Sequence, residues 1–396
     1  HKAYCINPKN PSTSKFIPSK TKVEGLLIYK IALTASPEFS AVHGNNINDV
    51  LAAIQGYIDQ VNFVFEREIG IHLELADQSE KIVFLDGQPN PFSSQISLAV
   101  QQNIAILNDS IGVDNYDIGH LLFFGGGGLA QIQGACGSNK AVAASGFDEA
   151  ANFFKLLAHE IGHQIGASHT WNSCTTTLNE IQRSATSAME PGSGTTLMSY
   201  AGLCGANNAS ISRDPYFHTV SIEQIISYTR QGQGSTCPQI LPSSNTPPLI
   251  TATTSNTKSL PVETPFILSG SGSDLEGDIL TYAWDQIDQD DPANLGEETV
   301  FNPIIRSRIP STSTKRYIPE LTALANGTPD QSELLPSSKR KLEFRQIVRD
   351  NNPSNGLAAT TDVFISTDTS AGPFVVNDLN ASEKWIAEGI FPVSWK

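Results

Sequence analysis

The chain has 396 residues, of which 39% are hydrophobic and only 16% charged, and its formal net charge is −15. This length suffices for two domains, and the composition excludes both a coiled coil and wholesale disorder. No apolar run is long enough to span a membrane, and the acidic balance excludes nucleic acid and anionic lipid as natural partners, because their phosphates would be repelled. We therefore expect a soluble protein that is exposed to the outside of the cell.

Strands and long helices alternate in the first half of the chain. Residues 1–22 are rich in Pro, Ser and Lys and predict an irregular arm. Apolar residues at helical spacing predict a long amphipathic helix from Asn46 to Ile69. The other predicted elements are strands at Leu26–Leu33, Ile71–Leu75 and Lys81–Leu85, a helix near Leu98–Ile111, a strand at Ile118–Phe124, an edge segment at Leu129–Ala144, and helices near Asp148–Ile165 and Val220–Arg230. This alternation is typical of an α/β layer with a mainly parallel sheet.

The pattern changes after a Pro/Ser-rich linker at residues 241–249. Beyond it, short β-rich runs alternate with turns, and Trp284 on one of them indicates an all-β, Ig-like sandwich. The predicted strands are Pro265–Leu268, Leu280–Trp284, Leu342–Val348 and Ala359–Ser366. The predicted organisation is an arm at 1–22, an α/β domain at 23–240, a linker at 241–249, a sandwich at 250–370 and the start of a further β module at 371–396.

One stretch, HEIGHQIGASH beginning at His159, contains the candidate metal ligands and the candidate catalytic residue. His159 and His163 are four residues apart, so they share one face of a helix and can bind the same ion. Gly166 can end the helix and turn the chain, which brings His169 back as a third ligand. Three neutral imidazoles leave the fourth position of a zinc ion open for water, and this is typical of a catalytic site. Glu160 is not needed as a ligand and is the candidate general base.

The pattern HExxHxxGxxH resembles the signature of the metzincin zinc peptidases. Members of that family have a methionine turn below the metal, and the resemblance assigns Met198 to it. It implies an α/β metzincin catalytic domain in which zinc lowers the pKa of its bound water and polarises the scissile carbonyl, while Glu160 transfers the proton. Tyr200, two residues after the methionine, resembles a tyrosine of astacins and serralysins. It is a candidate transition-state stabiliser, with a buried core tyrosine as the alternative.

Residues 128–136 resemble the upper-rim strand of the adamalysin/reprolysin branch, and residues 24–240 resemble its secreted bacterial members. Further stretches that carry this resemblance are YKIALTA (29–35), EREIGI (66–71), PGSGT (191–195) and YFHT (216–219). The resemblance implies that an extended substrate adds a strand along Leu129, Ala130, Gln131 and Ile132. It also implies the disulfides Cys136–Cys237 and Cys174–Cys204. The chain departs from the branch at one point, since adamalysins place Asp after the third histidine where this chain has Thr170.

The cysteines and an acidic cluster each allow more than one role. The five cysteines form no CxxC pair, which argues against a thiolate zinc knuckle and fits an oxidising compartment. Cys5 is either a free or intermolecular thiol or, as in many metzincin precursors, a thiolate that silences the zinc. Asp274, Glu276 and Asp278 surround a glycine and predict either a Ca²⁺ site or a solvated turn. The sandwich resembles PKD- and cadherin-like modules that follow secreted peptidases.

We predict a secreted, extracellular, monomeric zinc endopeptidase that acts on proteins or peptides. Two alternatives stay open: a latent zymogen blocked by the N-terminal arm, and a surface binding or adhesion protein that keeps the metzincin fold without catalysis. Glu160 argues against the second alternative, because a site that only binds has no need of a general base.

Overall fold

The structure is a computed structural model that describes residues 25–148, 150–254, 259–328, 330–377 and 394–395. The predicted arm and Cys5 lie outside these residues. The described helices are Pro37–Ala41 (α1), Ile47–Ile69 (α2), Ile96–Ser110 (α3), Ala150–Gln164 (α4), Thr176–Ile181 (α5), Thr219–Ile226 (α6) and Leu321–Asn326 (α7). The strands of the first half are Leu26–Ala35 (β1), Ile71–Leu75 (β2), Ile118–Phe124 (β3), Gly128–Ala130 (β4), Ala143–Phe147 (β5) and Gln239–Leu241 (β6).

The first half is built on a sheet in the order β2-β1-β3-β5-β4, with β6 paired antiparallel to the start of β1. The pairs β1–β2, β1–β3 and β3–β5 are parallel, whereas the outermost strand β4 runs antiparallel to β5. The near-continuous apolar sequence of β1 matches its burial in the middle of the sheet. The chain thus has a mixed α/β architecture with several sheets.

The long amphipathic helix predicted in the first half is confirmed as α2. Its start is capped by Asn46, whose side chain accepts a hydrogen bond from a backbone amide of the first turn. It ends at Gly70, which has the left-handed φ of 61° that favours glycine. The buried face of α2 and the apolar side of α4, including Phe153 and Leu157, share one core. This packing fixes the helix that carries the HEIGH sequence.

Two short elements of the first half differ from their predictions. Lys81–Leu85 is not a strand, since a 3₁₀ helix at Ser79–Ile82 is followed by a single bridge to Ala35, where β1 ends. The segment Leu129–Ala144 holds the end of β4, a series of turns and the first two residues of β5. Strand β5 has the sequence AASGF, which lacks the β-branched residues that are typical of strands. The residue pattern therefore did not predict this strand.

Residues 249–368 form two further sheets. Their strands are Leu249–Thr253 (β7), Ser259–Pro261 (β8), Phe266–Ser273 (β9), Thr281–Gln286 (β10), Lys315–Ile318 (β11), Lys341–Arg349 (β12) and Ala358–Asp368 (β13). One sheet has the order β10-β12-β13-β8 and the other β11-β9-β7, and a second core contains side chains from both. The four predicted strands correspond to β9, β10, β12 and β13. Beyond them, Val376–Asn377 (β14) pairs antiparallel with Ser394–Trp395 (β15).

Buried polar groups join these two sheets to the first half of the chain. Arg349 at the end of β12 donates to Glu68 of α2 over 3.0 Å and to the carbonyl oxygen of Phe217 over 3.2 Å. Asp285 of β10 accepts a 2.8 Å hydrogen bond from the amide of Thr219. The two halves therefore contact each other through specific interactions. Among the described helices, none has the length and apolar character that a membrane crossing requires.

Candidate metal centre

Three histidines converge at the end of α4. His159 and His163 lie on one face of this helix, and the turn at Gly166, with φ 122°, brings His169 back towards them. The Nε2 atom of His163 is 3.2 Å from the Nε2 atoms of both His159 and His169. The ligand atoms of all three lie within 4.8 Å of one another, so the structure places together the three residues that the spacing had selected.

Backbone carbonyls fix the tautomer of each ring. The Nδ1–H groups of the three histidines donate 2.7 Å hydrogen bonds to backbone oxygens, which are those of Leu197 for His159, Ala167 for His163 and Gln182 for His169. Because a carbonyl only accepts, each Nδ1 carries the proton and each Nε2 carries a lone pair. Three lone pairs that point at one another repel, so the short Nε2 distances are not hydrogen bonds. This donor set fits a cation that prefers imidazole nitrogen, and zinc is such a cation.

Burial keeps the imidazoles in the form that binds metal. It lowers the pKa of His163 to about 4 and lowers the pKa values of His159 and His169 well below their usual range. The nearby positive charge of Arg213 acts in the same direction on all three. Each side chain is 2% exposed or less, so desolvation is the main cause. The three rings are therefore neutral at physiological pH.

Glu160 is buried beside the first ligand, with 1% of its surface exposed. Burial raises the pKa of its carboxyl group to about 8, and the positive charge of Arg213 partly opposes this shift. Its carboxylate lies against the backbone of Gly128, the first residue of β4. A Cβ atom at position 128 would lie 2.3 Å from Oε1 of Glu160 and 2.6 Å from its Cγ. The absence of a side chain at position 128 thus leaves room for the candidate general base.

Gly128→Ala is expected to lower kcat about 100-fold, since a displacement of a catalytic group by about 1 Å has an effect of that size. Zinc binding should be unchanged because the three histidines keep their carbonyl partners. Gly56→Ala is the matched control, since a Cβ at this exposed position of α2 contacts nothing within 4 Å. The measurement is kcat with zinc content for both variants. Unchanged turnover by Gly128→Ala would contradict the assigned contact.

Met198 is fully buried and packs against α4, the helix that carries two of the three histidines. A Cβ atom at Gly162, within the HEIGH sequence, would be 2.7 Å from the sulfur of Met198, so glycine allows the methionine to pack against α4. The preceding carbonyl, that of Leu197, accepts the hydrogen bond from His159. Tyr200 is 1% exposed, and its ring centroid is 4.5 Å from that of His169. The methionine thus lies against the helix that carries His159 and His163, and the tyrosine lies beside His169.

Residues 26–229 match the sequence profile of the family described as "Metallo-peptidase family M12B Reprolysin-like". The chain belongs to this reprolysin-like metallopeptidase family. It is also similar to two Mus musculus proteins, "Disintegrin and metalloproteinase domain-containing protein 1a" and "1b", each 27% identical over 139 residues. The aligned stretch is 33% of this chain and only 17% of each mouse protein.

One solved structure that this reprolysin-like chain matches is titled "Structure of a chaperone-substrate complex". The match has a TM-score of 0.34 and 13% identity, and it covers 52% of this chain and 34% of that one.

The predicted substrate edge of this reprolysin-like chain is the outer strand of the sheet. β4 includes Leu129 and Ala130, and Gln131 continues the pairing by donating to the carbonyl oxygen of Val142. Ile132 follows and is 7% exposed. Because β5 covers only one side of β4, the position of β4 at the end of the sheet order suits strand addition on the other side. Binding of substrate along this edge stays a prediction.

Two disulfides link the pairs that the resemblance had implied, Cys136–Cys237 and Cys174–Cys204. The first joins the segment after β4 to the chain just beyond α6. The second closes the loop from Cys174 to Cys204, which follows the third histidine and contains Met198. One disulfide therefore lies on a segment that follows the histidine cluster in the chain, and the other joins a segment that precedes it to one that follows it.

The predicted acidic cluster is assembled differently. Asp274 and Asp278 lie with Asp350, with carboxylate oxygens within 4.8 Å of one another. Glu276 points elsewhere, and its carboxylate accepts hydrogen bonds from the hydroxyl and amide of Thr246. The set Asp274, Glu276 and Asp278 is therefore not brought together, because the third member of the cluster comes from the chain segment after β12.

Sequence reasoning missed most of the groups that surround the ligands. The carbonyls that orient the histidines belong to Leu197, Ala167 and Gln182, and no side-chain pattern marks a backbone acceptor. Glu190, which is fully buried beside Thr170, was also missed. For Gly128 a signal existed, since it is the last of four consecutive glycines, where the chain must bend or be approached closely.

Proposed function

We propose that this chain is a secreted zinc-dependent endopeptidase with His159, His163 and His169 as the zinc ligands and Glu160 as the general base. The observation that carries the proposal is the convergence of three neutral Nε2 atoms next to a buried carboxylate. Family membership supports peptide bonds as the substrate class. The two disulfides support an oxidising, extracellular location.

The protein groups have separate tasks in this proposal. The three imidazoles would hold a zinc ion, which would supply a lower pKa for water and polarisation of a peptide carbonyl. Glu160 accepts a proton from the attacking water and returns it to the leaving amine. The phenol of Tyr200 donates a hydrogen bond to the oxyanion of the transition state. The backbone of Leu129–Ile132 binds the extended substrate as an added strand, so side-chain preferences arise elsewhere in the cleft.

We also propose the division of the chain into a catalytic domain at 23–240, a linker at 241–249 and a PKD- or cadherin-like sandwich at 250–370. The linker supports this division only in part, since Asn245 donates to Asp350 and to the carbonyl oxygen of Asn355. The linker is therefore hydrogen-bonded to the second half of the chain and is not a free connection between two domains.

Latency is the second candidate function, and one observation favours it. Glu160 and all three imidazoles are 2% exposed or less, so a substrate strand has no direct access to them in this conformation. In this version, the thiolate of Cys5 would be a further ligand of a bound zinc ion and would exclude the catalytic water. Cys5 itself lies outside the described residues.

One experiment tests both proposals. The zinc-loaded full chain and its Cys5→Ala variant are incubated with a reduced, alkylated protein, with and without 1,10-phenanthroline, and new peptide termini are mapped by mass spectrometry. A peptidase produces defined termini that the chelator abolishes and added zinc restores. Activity of the full chain supports the unblocked enzyme, whereas activity of Cys5→Ala alone supports latency. Chelator-resistant cleavage, or none by either protein, would refute zinc-dependent hydrolysis.

A further inference from the structure

Glu190 is a fully buried carboxylate surrounded by hydrogen-bond donors. Its Oε1 accepts from the hydroxyls of Thr170 at 2.6 Å and Thr196 at 2.5 Å. Its Oε2 accepts from the amides of Thr195 at 2.7 Å and Thr196 at 3.2 Å, and from the hydroxyl of Thr195 at 3.1 Å. Five donors directed at two oxygens match an ionised carboxylate, which only accepts. A buried charge of this kind is retained only where it is fully hydrogen-bonded.

These donors come from the two segments that flank the metal ligands. Thr170 follows His169 directly, and its carbonyl accepts a 2.9 Å hydrogen bond from the amide of Glu190. Thr195 and Thr196 precede Leu197, the residue whose carbonyl orients His159. One carboxylate therefore ties the segment of the third ligand to the segment that orients the first.

We propose that Glu190 is a positioning residue of the zinc centre, holding Thr170 and the Thr195–Thr196 segment at the separation that makes the imidazoles converge. This proposal rests on the proposed zinc function. The carboxylate comes from a residue 20 positions beyond Thr170 in the chain and contacts the segment of the third histidine through the hydroxyl of Thr170.

Two single variants test whether Glu190 positions the zinc ligands or only packs in the core. In Glu190→Gln, the amide oxygen can still accept from the backbone of Thr195 and Thr196, but the NH₂ group faces the hydroxyls of Thr170 and Thr196. Thr170→Val removes one hydroxyl and leaves the carboxylate and its other four hydrogen bonds in place. Groups that orient metal ligands typically contribute 10–100-fold to affinity. We expect Glu190→Gln to bind zinc about tenfold more weakly and Thr170→Val to lie between it and the wild type.

A double variant makes the test specific. Thr170→Asp alone puts a second carboxylate against Glu190 and should bind zinc more weakly than either single variant above, because like charges repel. Thr170→Asp combined with Glu190→Gln provides an acceptor for the new NH₂ group and should recover part of the lost affinity. Recovery by this pair cannot arise from a general loss of packing.

The readouts are the zinc dissociation constant by chelator competition and the visible spectrum of the cobalt-substituted protein, with the folded fraction followed by circular dichroism. Glu333→Gln is the matched control, since Glu333 is buried in the second half and pairs with Arg308 and Arg316. The control should lower stability without changing zinc affinity or the cobalt spectrum. Wild-type affinity and spectrum in Glu190→Gln and Thr170→Val would overturn the proposal. Failure of the wild type itself to bind zinc would instead refute the proposed function.

Discussion

Replacing Glu160 by Gln is expected to lower the rate of peptide-bond cleavage by about three orders of magnitude, within the range that general acid–base catalysis contributes. Glutamine has nearly the same shape, so it fits the space beside Gly128 and leaves the histidines with their carbonyl partners. It cannot accept a proton from water. We therefore expect kcat to fall while zinc content stays at the wild-type level.

The assay counts new peptide termini released from an unfolded protein by equal amounts of zinc-loaded wild type and variant. Glu180→Gln is the control, because Glu180 is an exposed residue of α5 and should have no effect. Equal cleavage by wild type and Glu160→Gln would mean that another residue is the base or that a contaminating protease is present. Loss of zinc from the variant would mean that Glu160 supports the ligands rather than the proton transfer.

The convergence of the three candidate ligands was predictable because it depends on local geometry. The i, i+4 spacing of His159 and His163 on a helix, followed by a turn at Gly166, determines where His169 returns, and all of this lies within eleven residues. Met198 was assigned by the resemblance alone, and the structure places it against Gly162. No feature of residues 196–200 taken alone distinguishes that position from ordinary core packing.

There is a physical reason why the groups that orient the candidate ligands could not be predicted from the sequence. Gln182 contributes a backbone carbonyl, so its side chain gives no signal of the role. Glu190 becomes meaningful only when the chain folds back, because its donors lie at Thr170 and at 195–196. The acidic cluster shows the same effect, since Asp350 is over 70 residues from Asp278 in the sequence and replaces the predicted Glu276. Local periodicity predicts elements, whereas contacts between distant segments require the tertiary structure.

The secondary structure elements show the same contrast between local patterns and contacts of distant segments. Helix α2 and the strands around it were predictable from long, regular apolar patterns, whereas β5 was missed because its small residues are held in place by the strands on either side. Nothing in the sequence indicated how the two halves of the chain contact each other. The contact depends on pairs such as Glu68 and Arg349, which are separated by 281 positions.

Arg349→Met is expected to destabilise the protein by about 3 kcal/mol, the lower end of the range for a broken buried ion pair, because Glu68 keeps Arg67 at 3.4 Å and the amide of Phe217 at 3.5 Å but loses its fully buried partner. Both side chains of this pair are 1% exposed, so water cannot replace the lost guanidinium. Arg349 also donates to the carbonyl oxygen of Phe217, and Phe217 belongs to the same core as Met198. The change therefore removes a link between the second half of the chain and the packing beneath the metal-binding histidines.

Two further variants identify the cause of the loss. Glu68→Leu combined with Arg349→Met replaces both charges by apolar groups and should recover most of the stability, since a buried ion pair contributes little beyond satisfying its own charges. Lys30→Met breaks the exposed Lys30–Asp77 pair and should change the free energy of unfolding by less than about 1 kcal/mol. The measurement is the free energy of unfolding from denaturant titration of all three variants. If Arg349→Met costs no more than Lys30→Met, the buried pair does not hold the two halves together. If it costs several kcal/mol and the double variant recovers them, the second half is a structural part of the peptidase rather than a module that is only tethered to it.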